Sequence, residues 1–201
     1  MVSQWSQLFR PATFTSYITS NAKDKTITAL LMVGGATYSI VDAQISHYGD
    51  TKSIFSLLVI NLALGILLGW IRFYIYAVVL KWTGEWIGGK ASREQVISVV
   101  AYSLIPALMI LPLMAMEFAL YRDVIFKSSY VEFCSHSVPA QIIQVLKVLL
   151  VIYSSVLLIS GLRDVQGFST VKAFVNFVLP FALIALLLGI VLLLLMLLGS
   201  W

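Results

Sequence analysis

Five apolar runs dominate the chain, separated by short polar connections. The first, Thr26 to Val41, is short for a bilayer core that needs about 20 residues, so its span is expected to reach Ile45. The second extends from Ile54 to Leu80 with Arg72 inside it, and the third, Val96 to Met116, carries Pro106 and Pro112. A fourth starts at Pro139 and continues to Ser160, holding Gln141, Gln144 and Lys147. The fifth, Ala173 to Leu198, is almost pure Leu, Ile, Val and Phe, with Pro180 near its start. Its uniform apolarity predicts the most lipid contact. The pattern predicts an all-α polytopic membrane protein with five transmembrane helices in a bundle, over about 26–45, 54–80, 95–116, 139–160 and 174–198.

Residues 1 to 25 read differently. Trp5, Leu8, Phe9, Phe14, Tyr17 and Ile18 recur at roughly helical spacing among Ser, Thr and Gln. That predicts an N-terminal interfacial amphipathic helix lying on the membrane, ahead of a membrane domain over 26–201. Pro11 suits the first turn of such a helix. A polar tail is the plainer alternative. A secretory signal peptide is not expected, because the first apolar run waits until Ile27.

Composition changes little in this picture. The chain is 60% hydrophobic and only 11% charged, against roughly 25% charged residues in soluble domains. Mean hydropathy is +0.97, which excludes a soluble surface. The net charge of +4 does more. Arg10, Lys23, Lys25, Lys81, Lys90, Arg93, Arg163 and Lys172 fall on one side of a five-span chain, and Lys52, Arg122 and Lys127 on the other. Eight basic residues against three place the N-terminus in the cytoplasm and Trp201 outside. The basic excess is thus a topology signal and not a nucleic-acid site. Cys134 is the only cysteine, so no internal disulfide can form.

The stretch from Lys81 to Pro112 organises the rest. Gly84, Gly88 and Gly89 are expected to end the second helix, Lys90 to Glu94 to form the loop, and Ser92 to cap the third helix. Pro106 and Pro112 predict a kinked or discontinuous third span. The carbonyls of Tyr102 and Leu108 would then need donors, with Gln141, Gln144 and Asn61 as candidates. Gly65 and Gly69 form a GxxxG pattern, a candidate packing face.

Ionisable groups inside spans are functional candidates because burying them unpaired is costly. Arg72 is expected to snorkel towards the Lys81 end or to pair with Asp164 or Glu85. Lys147 is expected to pair with Asp42 or Glu117; the same three groups are a candidate ion relay. Arg93 and Glu94, with Arg163 and Asp164, occupy similar places in two loops on one side, where they can pair with each other or bind a partner. Glu132, Cys134 and His136 would share a face of an extended segment, a weak metal pattern beside the plainer reading of a solvated loop. No HExxH, GxSxG or P-loop pattern occurs, so no enzymatic activity and no cofactor or metal are expected.

Gly88-Gly89-Lys90-Ala91-Ser92 precedes a helix containing Ala101-Tyr102-Ser103-Leu104-Ile105-Pro106, and Gly161-Leu162-Arg163-Asp164-Val165-Gln166-Gly167-Phe168-Ser169 with Lys172-Ala173 leads into the last span. With the aromatic lead-in from Trp5 to Phe14, these motifs resemble the Yip family (Ypt/Rab-interacting protein domain) across nearly the whole chain. The resemblance implies a five-span bundle with a cytoplasmic N-terminus. Eukaryotic members are linked to vesicle traffic and bind prenylated Rab GTPases. Here the long cytosolic N-terminal domain and the Asp-Leu-Tyr-Gly-Pro motif are missing, so a bacterial-type member in the cytoplasmic membrane is expected, without a Rab partner. The expected function is a non-enzymatic scaffold or adaptor that contacts membrane lipids and binds a protein or lipid partner through its cytoplasmic loops. A small-solute or ion transporter using Arg72, Lys147 and the proline-broken third span is the alternative. A homo-oligomer remains open.

Overall fold

A computed structural model of the protein describes residues 24–198 together with Phe14, Thr15 and Ile18. Most of the expected interfacial segment therefore lies outside the described residues. The described chain is helical throughout, without strands: α1 (Asp24–Ile45), α2 (Ile54–Trp86), α3 (Arg93–Ser103), α4 (Ile105–Leu108), α5 (Ile110–Tyr121), α6 (Ser129–His136), α7 (Val138–Gln166) and α8 (Thr170–Leu198). Five segments are long and apolar enough to cross a membrane, with α3 to α5 and the following 3-10 turn (Arg122–Phe126) together forming the third. That third span is the most buried of the five, and the apolar stretch of α8 has no buried residue at all. The protein packs its broken helix inside and turns its greasiest helix outwards.

Helices α1 and α2 cross closely through glycine. A Cβ on Gly69 would lie 2.2 Å from the Cα of Gly35, and one on Gly35 would lie 2.4 Å from the Gly65 carbonyl oxygen. The GxxxG pattern is thus a genuine contact face, where missing side chains let two backbones touch. Ser39 Oγ adds a hydrogen bond to Asn61 Oδ1 at 3.2 Å beside it.

The polar connections are shorter than the hydropathy pattern implied. Helix α2 runs to Trp86, so Gly84 is a helical residue and the chain turns only at Gly88, whose φ of 90° suits glycine. Helix α7 runs to Gln166, so Gly161, Arg163 and Asp164 belong to a helix and not to a loop. It ends at Gly167 in the left-handed region (φ 71°), where the amides of Gly167 and Phe168 both reach the Arg163 carbonyl. Helix α6 occupies part of the stretch read as a loop. Glu132, Cys134 and His136 are helical, so Glu132 and His136, four apart, share a face while Cys134 points to another side, and the three do not line up as an extended segment would place them.

At α3, Ser92 forms a capping box with Gln95: Gln95 N–H donates to Ser92 Oγ at 3.2 Å, and Ser92 N–H donates to Gln95 Oε1 at 2.8 Å. The third span then stops and restarts twice instead of bending. Pro106 falls in the first turn of α4 and Pro112 in the first turn of α5, positions whose N–H groups have no intrahelical partner. Leu104 N–H and Met109 N–H close tight turns on the carbonyls of Ala101 and Pro106. The group that needs outside help is a donor, Ala107 N–H, and it finds Ser154 Oγ of α7 at 3.0 Å. Gln141, Gln144 and Asn61 accordingly do not serve the break. They donate to the Ser135 carbonyl, to Glu117 and to the Leu57 carbonyl.

Two apolar cores fill the bundle. One, near the Gly88 and Gly167 turns, joins Phe14, Ile18, Leu80, Val96, Val99, Leu157, Leu162 and Ala173. The other, towards the opposite end, joins Ile40, Ala43, Leu57, Ile110, Met114, Phe126 and Tyr130.

Candidate functional site

The ionisable groups expected inside the spans separate into two pairs. In the core away from the Gly88 turn, Glu117 of α5 is fully buried and Lys147 of α7 nearly so. Lys147 Nζ donates to Glu117 Oε2, and to Gln44 Oε1 of α1 at 3.1 Å. Gln44 Nε2 returns a bond to Glu117 Oε2 at 3.2 Å. The other carboxylate oxygen accepts from Gln144 Nε2 at 2.7 Å and from the Tyr130 hydroxyl of α6. Four donors from three helices therefore converge on one carboxylate, the condition under which a buried ion pair is tolerated. Burial, then the Glu117 contact, pushes the Tyr130 phenol above its ordinary range, so it remains a donor.

Asp42 is occupied elsewhere. Arg72 Nη1 donates to Asp42 Oδ2 at 3.2 Å, with both side chains 56% exposed. The guanidinium also lies 5.2 Å from the Tyr38 ring centre and 5.8 Å from that of Phe73. The expected partners were wrong for a local reason. Glu85 already holds Lys81 at 2.6 Å, and Asp164 holds Arg163 at 2.8 Å and Thr15 Oγ1 at 2.8 Å. Arg72, about 27 Å along α2 from Ile54, therefore turns away from the Lys81 end. An ion relay through Asp42, Glu117 and Lys147 together is not assembled.

The motif-bearing turns meet at the other end, joined by a residue that sequence reading passed over. Gln166 is 1% exposed. Its carbonyl accepts Lys90 N–H at 3.3 Å and its Oε1 accepts Ala91 N–H at 3.2 Å. Gly84 and Gly89 leave room for its amide: a Cβ at either would lie 2.4 or 2.2 Å from it. Beside it Asn176 of α8 accepts from Thr83 Oγ1 at 2.9 Å. Arg93 and Arg163 do not bridge the turns. Arg93 lies 4.7 Å from the Tyr74 ring centre, and Arg163 pairs with its own neighbour. Lys172 Nζ reaches the Ile87 carbonyl at 3.4 Å.

This arrangement gives the glycine-rich and Arg-Asp-Val-Gln-Gly motifs a common structural purpose, and the motifs in turn decide kinship. The Yip1 domain signature matches residues 5–193. The chain belongs to the Yip1 domain family. No curated protein and no solved structure matched it. As a Yip1 domain chain it is an integral membrane protein, and family membership points away from enzymatic activity.

Several residues of these clusters carried a readable signal. Thr37, Ile40 and Gln44 recur on the buried face of α1. Gln144 and Lys147 are three apart on α7, so they emerge side by side. Ala173, Asn176 and Pro180 form the buried stripe of an otherwise aliphatic α8. Tyr130 and Gln166 had no such signal, since each sits in a stretch that reads as loop.

Proposed function

We propose that this Yip1 domain chain is a non-enzymatic scaffold that holds an acidic segment of a partner protein against its Gly88 and Gly167 end, which faces the cytoplasm. The observation that carries the reading is the junction at Gln166. It joins two separate motif-bearing turns into one surface. Lys90, Arg93 and Lys172 are exposed on that end with no carboxylate partner among the described residues. Three cations held on a rigid frame favour an acidic partner. Trp82 and Trp86, both exposed and packed edge to face at 4.5 Å, supply an interfacial anchor beside it.

Photo-crosslinkers placed at Lys90, Lys172 and, at the opposite end, Lys52 test this in native membranes. Discrete adducts from the first two positions, lost in Gln166→Leu and absent at Lys52, are expected. Adducts from Lys52 alone would overturn the reading. A reporter active only in the cytoplasm should be silent when fused after Trp201 and active in the turn at 167–169; the reverse pattern would overturn the orientation. The transporter alternative requires Lys147-dependent solute flux in proteoliposomes. The burial of Lys147 and its bonds to Glu117 and Gln44 argue against it.

A further inference from the structure

Between α2, α3, α7 and α8, with Tyr38 of α1 at its edge, lies a groove of about 520 Å³. Its walls are mainly apolar, with Phe73, Val79, Leu104, Leu158, Phe177 and Phe181 among them. The polar groups on it are unequal in what they need. Ser103 and Ser155 donate to the carbonyls of Val100 and Val151, and Ser154 accepts from Ala107. Arg72 has given one N–H to Asp42, and the Tyr76 hydroxyl is buried with no partner among the described residues. Arg72 and the Tyr76 hydroxyl therefore both have hydrogens left to donate. An orphan hydroxyl at bilayer depth is costly, because no water is there to satisfy it.

We propose that the groove binds one phospholipid, with an acyl chain along the aromatic and aliphatic wall and phosphate oxygens accepting from Arg72 and Tyr76. A phosphodiester offers several acceptors and no donor of its own, which matches the deficit. Its negative charge suits a guanidinium that still has four N–H groups to give. A purely hydrocarbon occupant would leave both donors as they are. Exposed Phe181, whose ring centre is 5.8 Å from that of Tyr76, stands at the mouth; rotation about its χ1 admits the headgroup. The Arg72–Asp42 pair then has a second role beyond neutralising two charges: it fixes the guanidinium at the groove rim, where an incoming phosphate meets it.

Native mass spectrometry of the purified chain, titrated in detergent with palmitoyl-oleoyl phosphatidylglycerol, tests the proposal. One retained lipid per chain is expected, with diacylglycerol of the same acyl chains not retained. Tyr76→Phe removes only the hydroxyl and keeps the ring in place. Its lipid affinity should fall about tenfold, the loss of one hydrogen bond to a charged group. Phe181→Trp, at an exposed position, should narrow the mouth and weaken binding without affecting the fold. Lys52→Gln, exposed and outside the groove lining, should bind as the unaltered chain does. Equal retention of diacylglycerol would overturn the proposal, as would undiminished binding by Tyr76→Phe or an equal loss in Lys52→Gln. So would a chain that retains no lipid and has twice the monomer mass, with Phe181→Cys crosslinking to its counterpart; the groove would then be covered by a second copy.

Discussion

Removing either member of the Glu117–Lys147 pair should destabilise the protein, and the two removals should differ. Their side chains are 0% and 8% exposed, so neither charge left behind can be rehydrated in place. Breaking a buried pair by deleting one partner costs about 3–5 kcal/mol. Lys147→Met should fall near the lower figure, because Glu117 keeps Tyr130, Gln144 and Gln44 as donors. Glu117→Gln should fall near the upper one. A glutamine has a single acceptor oxygen, so two of the four groups now donating to Glu117 would face an NH2 group. At about 2–4 °C per kcal/mol for a chain of this size, melting in detergent should drop by roughly 6–12 °C for Lys147→Met and more for Glu117→Gln. The double variant should recover at least part of the loss, since it leaves no unpaired charge. The reasoning fails if Lys147→Met melts with the unaltered protein, if the order of the two is reversed, or if the double variant is additive. A solute flux that disappears in Lys147→Met at unchanged melting temperature would instead identify a relay.

The glycine crossing, the broken span and the buried phenol give three further expectations. Gly35→Ala should cost about 1–3 kcal/mol by forcing α1 from α2, because its Cβ would meet backbone at 2.4 Å, whereas Gly189→Ala, with nothing within 4 Å, should be harmless; equal melting temperatures for the two would refute the close crossing. Ser154→Ala should leave Ala107 N–H without an acceptor and cost about 1–3 kcal/mol, with faster amide exchange at Ala107 as the local readout and unchanged exchange as the refutation. The folded state holds the Tyr130 phenol above its usual value of 10.0, so its stabilising contribution is complete below pH 10 and is lost as pH rises further. Tyr130→Phe should therefore lower melting at neutral pH and show a shallower alkaline decline than the unaltered chain; parallel declines would refute the assignment.

What the sequence made legible and what it did not follow from the range of the interactions involved. Hydropathy is a property of consecutive residues, so five spans, the outward-facing α8 and the discontinuous third helix could all be read directly. Partner choice depends on depth and azimuth around each helix axis. Asp42 and Glu117 looked equivalent as partners for Lys147 because both lie near the same ends of their spans. The crossing of α1 and α2 at Gly35 and Gly69 separates them, bringing Asp42 to Arg72 while Gln44, two residues along α1, faces Lys147. A two-residue step turns a helix by about 200°, so one short sequence supplies both an outward carboxylate and an inward amide. The prolines misled differently. The break itself was expected, but the prolines were treated as freeing the carbonyls of Tyr102 and Leu108; the chain restarts its helices at each proline, and the group that takes an outside partner is the N–H of Ala107. Helix ends were read too early at Gly84 and Gly161 because both looked like breakers. Each is instead a place where another residue packs against bare backbone: Gln166 at Gly84, and Val99 with Phe14 at Gly161. In a bundle with few polar groups, glycine within a helix marks a close neighbour more often than an end, and at Gly84 that neighbour is the residue that ties the two family motifs together.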